Sequence, residues 1–492
     1  DLMDLCSHLQ LQGGVGHQSN PSPNKEVAMR NLTRPQLMVG VASAAAAVAG
    51  VSVAGDTIPS NDTDARIAAL EQQISDLKAD RNSNWLTDDR AEEIRALVNE
   101  AVNDANSRRS LLANGGSAGW DNGFYLMSDD GSFRLNITGQ VQTRLVINEA
   151  DERSTGGDSD DSVNGFEIRR AKLGFGGNLF GQDFTYKVKG AFNRNGGDFE
   201  LEDAWGAYRF SDTSQIKWGQ FKAPFLREEL TSSSRLLAVD RAYATEQTTG
   251  NFTQGVQWNL DMSDDFRVMF GPNDGWDISL TAPNSGYSNT RFMDSDTELA
   301  FTARGEWKNG TAWSQFDDYQ SWSDDEFGML IGGGIHWQKS ERDDLSGAFI
   351  DDEVDWFVWT IDAAFEFGGS HVEGWVVGQH SDTATPGAID QDQYAWGVQG
   401  GFFVTPDEFE LFARWDRFDW DSAQPSSFDS EIDMFTFGFN WFWEGHAKKW
   451  TTDLIYVDGA LPYGNSDLGL LSDSNPENDD QVVIRSQLQF LF

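Results

Sequence analysis

The 492-residue sequence predicts an all-β fold: a transmembrane antiparallel β-barrel of about 16 strands, preceded by a short N-terminal α-helical coiled coil. From residue 133 onward, apolar residues alternate with polar or small ones with a period of two. The chain is polar, with a mean hydropathy of −0.50, yet it carries 19 Trp and 34 Phe. No apolar run of about 18 residues lies beyond position 55, so membrane-spanning helices are not expected.

The charge balance narrows the possible partners. The chain has 79 acidic and 36 basic residues, a net charge of −43. Nucleic acid is not an expected partner, because phosphate binding needs clustered Lys and Arg. A soluble chain of this length would usually divide into several domains. A large barrel uses such a length as one unit, because the strand number sets its size.

The beginning of the chain predicts export. Residues 1–28 are interpreted as an upstream extension and contain the only cysteine, Cys6. Residues 29–55 have the pattern of a signal peptide, with Arg30 and Arg34 ahead of a small-residue apolar stretch. Cleavage after this stretch would leave a mature chain without cysteine, and therefore without disulfides or a Cys-based metal site.

A helical region is predicted over 56–112, on the periplasmic side, followed by a flexible linker over 113–132. Its first segment has the 3-4-3 apolar spacing of a short coiled coil, formed by Ile67, Leu70, Ile74 and Leu77. A second apolar face lies within Thr87–Ser110. Ile at the a positions with Leu at d favours dimers.

The barrel is predicted over 133–492. In Glu431–Trp443, every aromatic residue has the same parity and the other parity is polar or small; Asp355–Phe367 alternates in the same way. Lipid outside and water inside explain this better than the packed core of a soluble sandwich. The predicted strands are 133–147, 166–179, 184–194, 201–210, 215–221, 252–261, 264–271, 297–308, 328–338, 355–367, 370–380, 393–404, 407–419, 431–443, 447–457 and 480–492.

Two connections differ from the rest. Residues 222–250, after the fifth strand, are rich in Arg and Ser and are predicted to fold into the barrel as a constriction loop. Thr311–Asp325 is interpreted as a connecting segment. Acidic connections are predicted to be solvated extracellular loops, with divalent-cation binding as the alternative; they are Asp151–Asp161, Ser323–Glu326, Glu341–Asp344, Asp351–Asp355 and Ser472–Asp480. None has EF-hand spacing, so no metal ligands are assigned.

Four sequence blocks resemble the phosphate-selective porin O/P family of outer-membrane channels. They are Phe166-Glu-Ile-Arg-Arg-Ala-Lys-Leu-Gly-Phe175, Asp203-Ala-Trp-Gly-Ala-Tyr208, Trp218-Gly-Gln-Phe-Lys-Ala-Pro-Phe225 and Glu229-Leu-Thr-Ser-Ser233. The resemblance implies a bacterial outer-membrane porin that is trimeric and carries basic residues inside the barrel. The last strand, ending at Phe492, resembles the signal read by the barrel assembly machinery.

Between Asn164 and Arg241 there are 12 basic and 10 acidic residues, a slight positive excess in an acidic chain. Strand parity and the infolded loop predict these pore-lining or constriction residues: Arg169, Arg170, Lys172, Lys187, Lys189, Lys217, Lys222, Arg227, Glu228, Glu229, Arg235, Asp240, Arg241 and Arg414. Arg169 is expected nearer the rim. Beyond this region inward bases are expected to be sparse, and each base could instead pair with a neighbouring carboxylate.

The sequence therefore predicts a water-filled channel for passive diffusion of small hydrophilic solutes and ions, with a mixed-charge, weakly anion-leaning constriction. The alternatives are a phosphate- or anion-selective porin, a barrel that only anchors an envelope protein, or a soluble β-propeller. No catalytic residue or cofactor is predicted, and no His-Glu-x-x-His metal motif occurs.

Overall fold

The computed structural model describes residues 68–76, 116–121, 123–150, 162–194, 196–276, 297–342, 352–383, 391–419, 431–459, 461, 464–472 and 480–492. They fall into two compact units, residues 1–96 and residues 97–492. In the first unit, helix α1 covers residues 68–76, and its Leu70 and Ile74 are more than half exposed. The coiled coil stays a prediction, and the predicted extension, signal peptide and Thr87–Ser110 segment lie outside the described residues. No described helix is long and apolar enough to cross a bilayer.

The described part of the second unit is built from strands. In chain order they are β1 (Gly116–Trp120), β2 (Phe124–Ser128), β3 (Arg134–Ala150), β4 (Ser162–Asn178), β5 (Phe184–Phe192), β6 (Phe199–Ser211), β7 (Ser214–Lys222), β8 (Phe252–Ser263), β9 (Phe266–Asn273), β10 (Thr297–Lys308), β11 (Gly328–Arg342), β12 (Asp352–Glu366), β13 (Ser370–Thr383), β14 (Gln391–Thr405), β15 (Phe409–Asp419), β16 (Glu431–Glu444), β17 (Lys448–Asp458) and β18 (Gln481–Leu491). Short helices α2 (Arg227–Leu230) and α3 (Tyr243–Thr248) lie between β7 and β8, and a 3-10 helix (Trp313–Asp317) lies between β10 and β11.

Strands β3 to β18 form one closed antiparallel barrel. Each pairs with its neighbours in sequence, and β18 pairs back with β3 from Gln481↔Ala150 to Leu491↔Gln140. Closure gives every barrel strand a partner on both edges, as a bilayer requires. The predicted barrel of about 16 strands is confirmed, and each predicted run overlaps one strand.

Side chains divide by parity between the two faces of the wall. On β16, Met434, Thr436 and Asn440 are buried toward the barrel interior, whereas Phe437 and Trp443 are exposed on the outer face. The outer face is therefore aromatic and the inner face largely polar, the arrangement predicted for lipid outside and water inside.

A β-hairpin occupies part of the stretch predicted as a flexible linker. Strands β1 and β2 pair with each other, and β2 also pairs with β3 along Arg134–Ile137. The linker prediction over 113–132 missed this hairpin, because the Gly-rich start outweighed the short apolar strand that follows. Next to the hairpin, the backbones of Gly139 and Phe492 exchange two hydrogen bonds of 2.6 and 3.0 Å.

The two ends of the barrel differ in their connections. Tight turns such as 212–213 and 264–265 join strands at one end, which is the periplasmic end in barrels of this kind, and the longer loops lie at the other. Residues 309–327, between β10 and β11, are an exception at the turn end, and we call them the plug segment. The acidic run Ser323–Glu326 belongs to it, so its assignment to an extracellular loop was wrong: it joins the eighth and ninth barrel strands.

Candidate functional site: the barrel interior

The long connection between β7 and β8, residues 223–251, lies against the inner face of the wall. Asn440 and Lys449 donate hydrogen bonds to the carbonyl oxygens of Leu237 and Leu236, both at 2.8 Å. Other wall residues that donate to loop carbonyl oxygens are Gln142, Arg304, Arg414 and Gln489. A loop inside the barrel loses solvent contacts, so these donors supply the partners that its backbone needs.

Asp240 ties this loop to the wall through ion pairs with four arginines. Its buried carboxylate receives guanidinium groups from Arg144 and Arg170 at 2.6 Å, Arg169 at 3.1 Å and Arg485 at 3.8 Å. Burial opposes ionisation of Asp240, but the surrounding arginines outweigh it and hold the pKa of this carboxyl well below its usual value. The loop is thereby tied to β3, β4 and β18.

Two β-bulges place consecutive charged residues inside the barrel. The β3–β4 register shifts between Gln142 and Thr143 and skips Arg169, so Arg169 and Arg170 both reach the interior. The β5–β6 register shifts after Lys189 in the same way, and both Glu202 and Asp203 face inward. An extra residue in one strand interrupts the period of two, which is why Arg169 was expected only near the rim.

A cavity of about 700 Å³, which we call the basic cavity, lies inside the β4–β8 side of the wall. Nine basic and five acidic side chains line it. The bases are Arg169, Arg170, Lys172, Lys187, Lys189, Arg194, Lys217, Lys222 and Arg241; the acids are Glu200, Glu202, Asp203, Glu246 and Asp467. Eight of the predicted pore residues are among these bases.

Pairing with carboxylates reduces the effective charge of several lysines. Lys172 and Lys189 both pair with Glu202, the latter at 3.0 Å. Lys187 lies 2.9 Å from Asp203, yet its side chain stays 42% exposed. Lys187 is thus the most solvent-accessible of these three ammonium groups.

Two further lysines, Lys217 and Lys222, line the basic cavity. Lys222 pairs with Glu229 at 2.5 Å. For Lys217, no ion pair is found within the described part of the chain, and its ammonium lies 4.2 Å from the centroid of the Phe221 ring. The cavity thus combines paired bases with one cation held mainly against an aromatic ring.

Glu246 on α3 is an acid of the basic cavity whose pKa is shifted. Burial raises the pKa of its carboxyl to about 7, Arg241 opposes this, and the carboxylates of Glu229 and Asp467 add to it. The charge of the cavity therefore changes near neutral pH.

The other predicted pore residues do not line the basic cavity. Arg235 lies 3.3 Å from Asp317 of the plug segment. Glu228 accepts a hydrogen bond from the Ala242 backbone at 3.1 Å and lies 3.6 Å from Arg414. These groups hold the loop together.

Arg414 and Arg227 reach other partners as well. Arg414 donates to the Asp240 carbonyl oxygen at 3.0 Å. Arg227 pairs with Glu373 on β13.

Sequence reasoning missed several inward bases. The expectation that they are sparse beyond residue 241 was wrong, because Arg304, Lys449 and Arg485 are buried on the inner face. Arg304 and Arg485 form ion pairs with Asp362 at 2.7 Å and Asp453 at 2.6 Å. The sequence did contain a signal for them. Each lies at a position whose parity is opposite to that of the apolar residues in its strand, which indicates an inward side chain.

No metal or hydrolase site is found in the described ranges. No group of three or more His, Cys, Asp or Glu side chains there is arranged to hold a metal ion. The run Gly115-Gly-Ser-Ala-Gly119 matches Gly-x-Ser-x-Gly by letter, but Ser117 lies within strand β1, and strand β2 follows it. The motif requires a strand-to-helix turn, so the match does not indicate a nucleophile.

A closed 16-stranded barrel with an aromatic outer face and a charged interior defines a porin-type diffusion channel of the outer membrane. Residues 141–492 match the family described as Phosphate-selective porin O and P, and the chain belongs to this family. The protein is therefore a channel of the bacterial outer membrane through which small solutes diffuse, rather than an enzyme.

Individual proteins are similar to different extents. An uncharacterized protein of Aquifex aeolicus (strain VF5) is 26% identical over 326 residues, which cover 63% of this chain and 72% of that protein. The anion-selective porin from Comamonas acidovorans has a TM-score of 0.50 at 14% identity, over 73% of this chain and 99% of that one. The trimer form of OmpT from Vibrio cholerae has a TM-score of 0.46 at 13% identity, over 72% and 99% of the two chains.

Replacing Asp240→Asn should destabilise the barrel by about 3–5 kcal/mol, because four guanidinium groups lose their shared buried counter-charge. It should also increase the preference for anions, since two of those arginines line the basic cavity. The unfolding temperature and the reversal potential in a salt gradient measure these effects. Asp433→Asn, which breaks the ion pair with Arg417 on the outer face, is the control. Equal stability of the two variants would contradict the anchoring role.

Anion preference should fall as the pH rises through about 7, because Glu246 is neutral below its pKa and negative above it. Glu246→Gln should remove this step. Glu200→Gln, at another acid of the same cavity, should raise anion preference but leave the step in place. The ratio of anion to cation permeability is measured one pH unit on either side of that pKa. An identical step in Glu246→Gln would assign the titration to another group.

Proposed function

We propose that the basic cavity is the permeation path of this porin and that it weakly favours small anions over cations. The supporting observation is the charge of its lining, four more basic than acidic groups in a chain with a net charge of −43. A narrow passage with low-dielectric walls focuses the field of such groups on a permeating ion.

The preference is proposed to be weak because carboxylates alternate with the bases. Glu202 and Asp203 neutralise much of the charge of Lys172, Lys187 and Lys189. The acidic sequences of the outer connections also lower the anion concentration at the entrance. We therefore favour a general diffusion channel for small hydrophilic solutes and ions over a channel dedicated to phosphate.

Neutralising both Lys187 and Lys189 to Gln should lower the anion-to-cation permeability ratio about two-fold, because two ammonium groups that line the path are lost. Reversal potentials across planar bilayers in a salt gradient measure the ratio. Lys448→Gln is the control, because this lysine lies over the outward-facing Trp443 ring. An unchanged ratio would show that these lysines do not govern permeation, and an absence of conductance steps would favour an anchoring role.

We further propose that the protein is a homotrimer in outer-membrane lipid, assembled through recognition of its last strand. The family resemblance supports the trimer. Outward-facing aromatic residues such as Phe437 and Trp443 support contact with lipid. The outward apolar residues of β18 and the terminal Phe492 support recognition by the barrel assembly machinery.

After extraction in mild detergent, the chain should migrate on gels as a trimer that heating converts to a monomer of denatured size. Deletion of Phe492 should reduce the amount of this trimer band in outer-membrane fractions. A monomer in mild detergent would contradict the trimer, and a full yield without Phe492 would contradict its role in assembly.

A further inference from the structure

A single guanidinium group joins two segments that enter the barrel from opposite ends. Arg227, in the loop from the outer end, donates to the carbonyl oxygens of Phe316 and Asp318 in the plug segment at 3.2 and 2.7 Å. The same group pairs with Glu373 on the wall and lies 5.0 Å from the Tyr319 ring. Arg227 therefore clamps loop, plug segment and wall together.

Apolar packing extends this contact. Leu236, Leu237 and Ala238 of the loop form one buried cluster with Tyr319 of the plug segment and Phe412 of β15. The two segments therefore share an apolar interface inside the barrel, whereas the basic cavity beside the loop stays open.

The wall behind the clamp is acidic. Five carboxylates on β12, β13 and β15, each almost fully buried, form what we call the acidic wall: Asp362, Glu366, Glu373, Glu410 and Asp416. Arg414 is the one permanent cation on the described inner faces of β12–β15. Other elements supply further positive charge to the acidic wall: Arg304 pairs with Asp362, and Arg227 pairs with Glu373.

Polar atoms of this wall remain without hydrogen-bond partners among the described residues. Both ring nitrogens of His371 and Oε1 of Glu373 are in this state, although both side chains are more than nine-tenths buried. His371 lies 3.5 Å from Glu410, and Gln320 of the plug segment donates to Glu410 at 3.0 Å. Such groups are typical of a surface that water and ions solvate when it is accessible.

We propose that the acidic wall lines a second passage, for small cations, which the loop and the plug segment close and which Arg227 holds closed. Releasing the clamp would expose carboxylates to both ends of the barrel, and a passage lined by carboxylates concentrates cations. The proposal rests on the porin class of the protein and is independent of the anion preference of the basic cavity.

The test uses the full chain in planar bilayers. Arg227→Gln should raise the single-channel conductance and raise the cation-to-anion permeability ratio about two-fold relative to the unmodified chain. Arg417→Gln, at an outer-face arginine paired with Glu431 and Asp433, should change neither quantity. If Arg227→Gln does not assemble, Arg227→Lys takes its place, because lysine keeps the charge beside Glu373 but cannot form the planar fork of hydrogen bonds.

A covalent bridge provides the reverse experiment. Arg235 and Asp317 face each other at 3.3 Å across the loop and the plug segment. The test adds Arg235→Cys and Asp317→Cys to the Arg227 variant in a Cys6→Ser background. A short reagent with two thiol-reactive groups then joins the two cysteines, and this bridge should return the variant to the unmodified conductance.

The outcomes separate this proposal from the preceding one. The permeability ratio of the unmodified chain tests the anion preference, whereas its change on loss of the clamp tests the second passage. A larger conductance with an unchanged ratio would mean that only the basic cavity had widened. That result, an unchanged conductance, or a conductance that the thiol bridge does not lower would overturn the second passage.

Discussion

A loop placed inside a barrel must find new partners for its backbone, and this requirement shapes the interior of the protein. Wall side chains on β3, β10, β15, β16, β17 and β18 donate to carbonyl oxygens of residues 223–251. Asp240 adds the charged contact that fixes the loop to three strands. The polar residues of this part of the wall therefore hold the loop in place.

The position of the loop against one side of the wall divides the interior into two unlike halves. On β12 to β18 the inner side chains are buried beneath the loop and the plug segment, whereas the lysines on β5 and β7 remain beside open space. The carboxylates of the acidic wall are covered, and the cavity that stays open is lined by more bases than acids. A strongly acidic chain can thus present a basic path, because position, more than total charge, decides which groups meet a permeating ion.

Alternation carried much of the prediction from sequence, and its exceptions explain most of what was missed. Sixteen runs were found because a lipid-facing strand needs an apolar residue at every second position, and the same parity turned Lys187 and Lys189 inward. The bulge at Arg169 interrupts that parity and is visible only in the pairing of two strands. The ion pairs of Asp240 depend on contacts between a loop and the strands β3, β4 and β18, which are distant in sequence. No local pattern encodes these contacts. Arg304 and Arg485 were detectable by parity but were not assigned.

The hairpin before the barrel bears on how the cylinder closes. Strand β3 offers one edge to two partners: β2 takes Arg134–Ile137, and β18 takes the stretch from Gln140 onward. Because β2 is the sequence neighbour of β3, it can pair at a small loop-closure cost, before the last strand is made. A slip of one residue in β18 would exchange its lipid and lumen faces. Phe492 is set against Gly139 next to the hairpin, so β2 occupies the stretch of the β3 edge into which a slipped β18 would have to move.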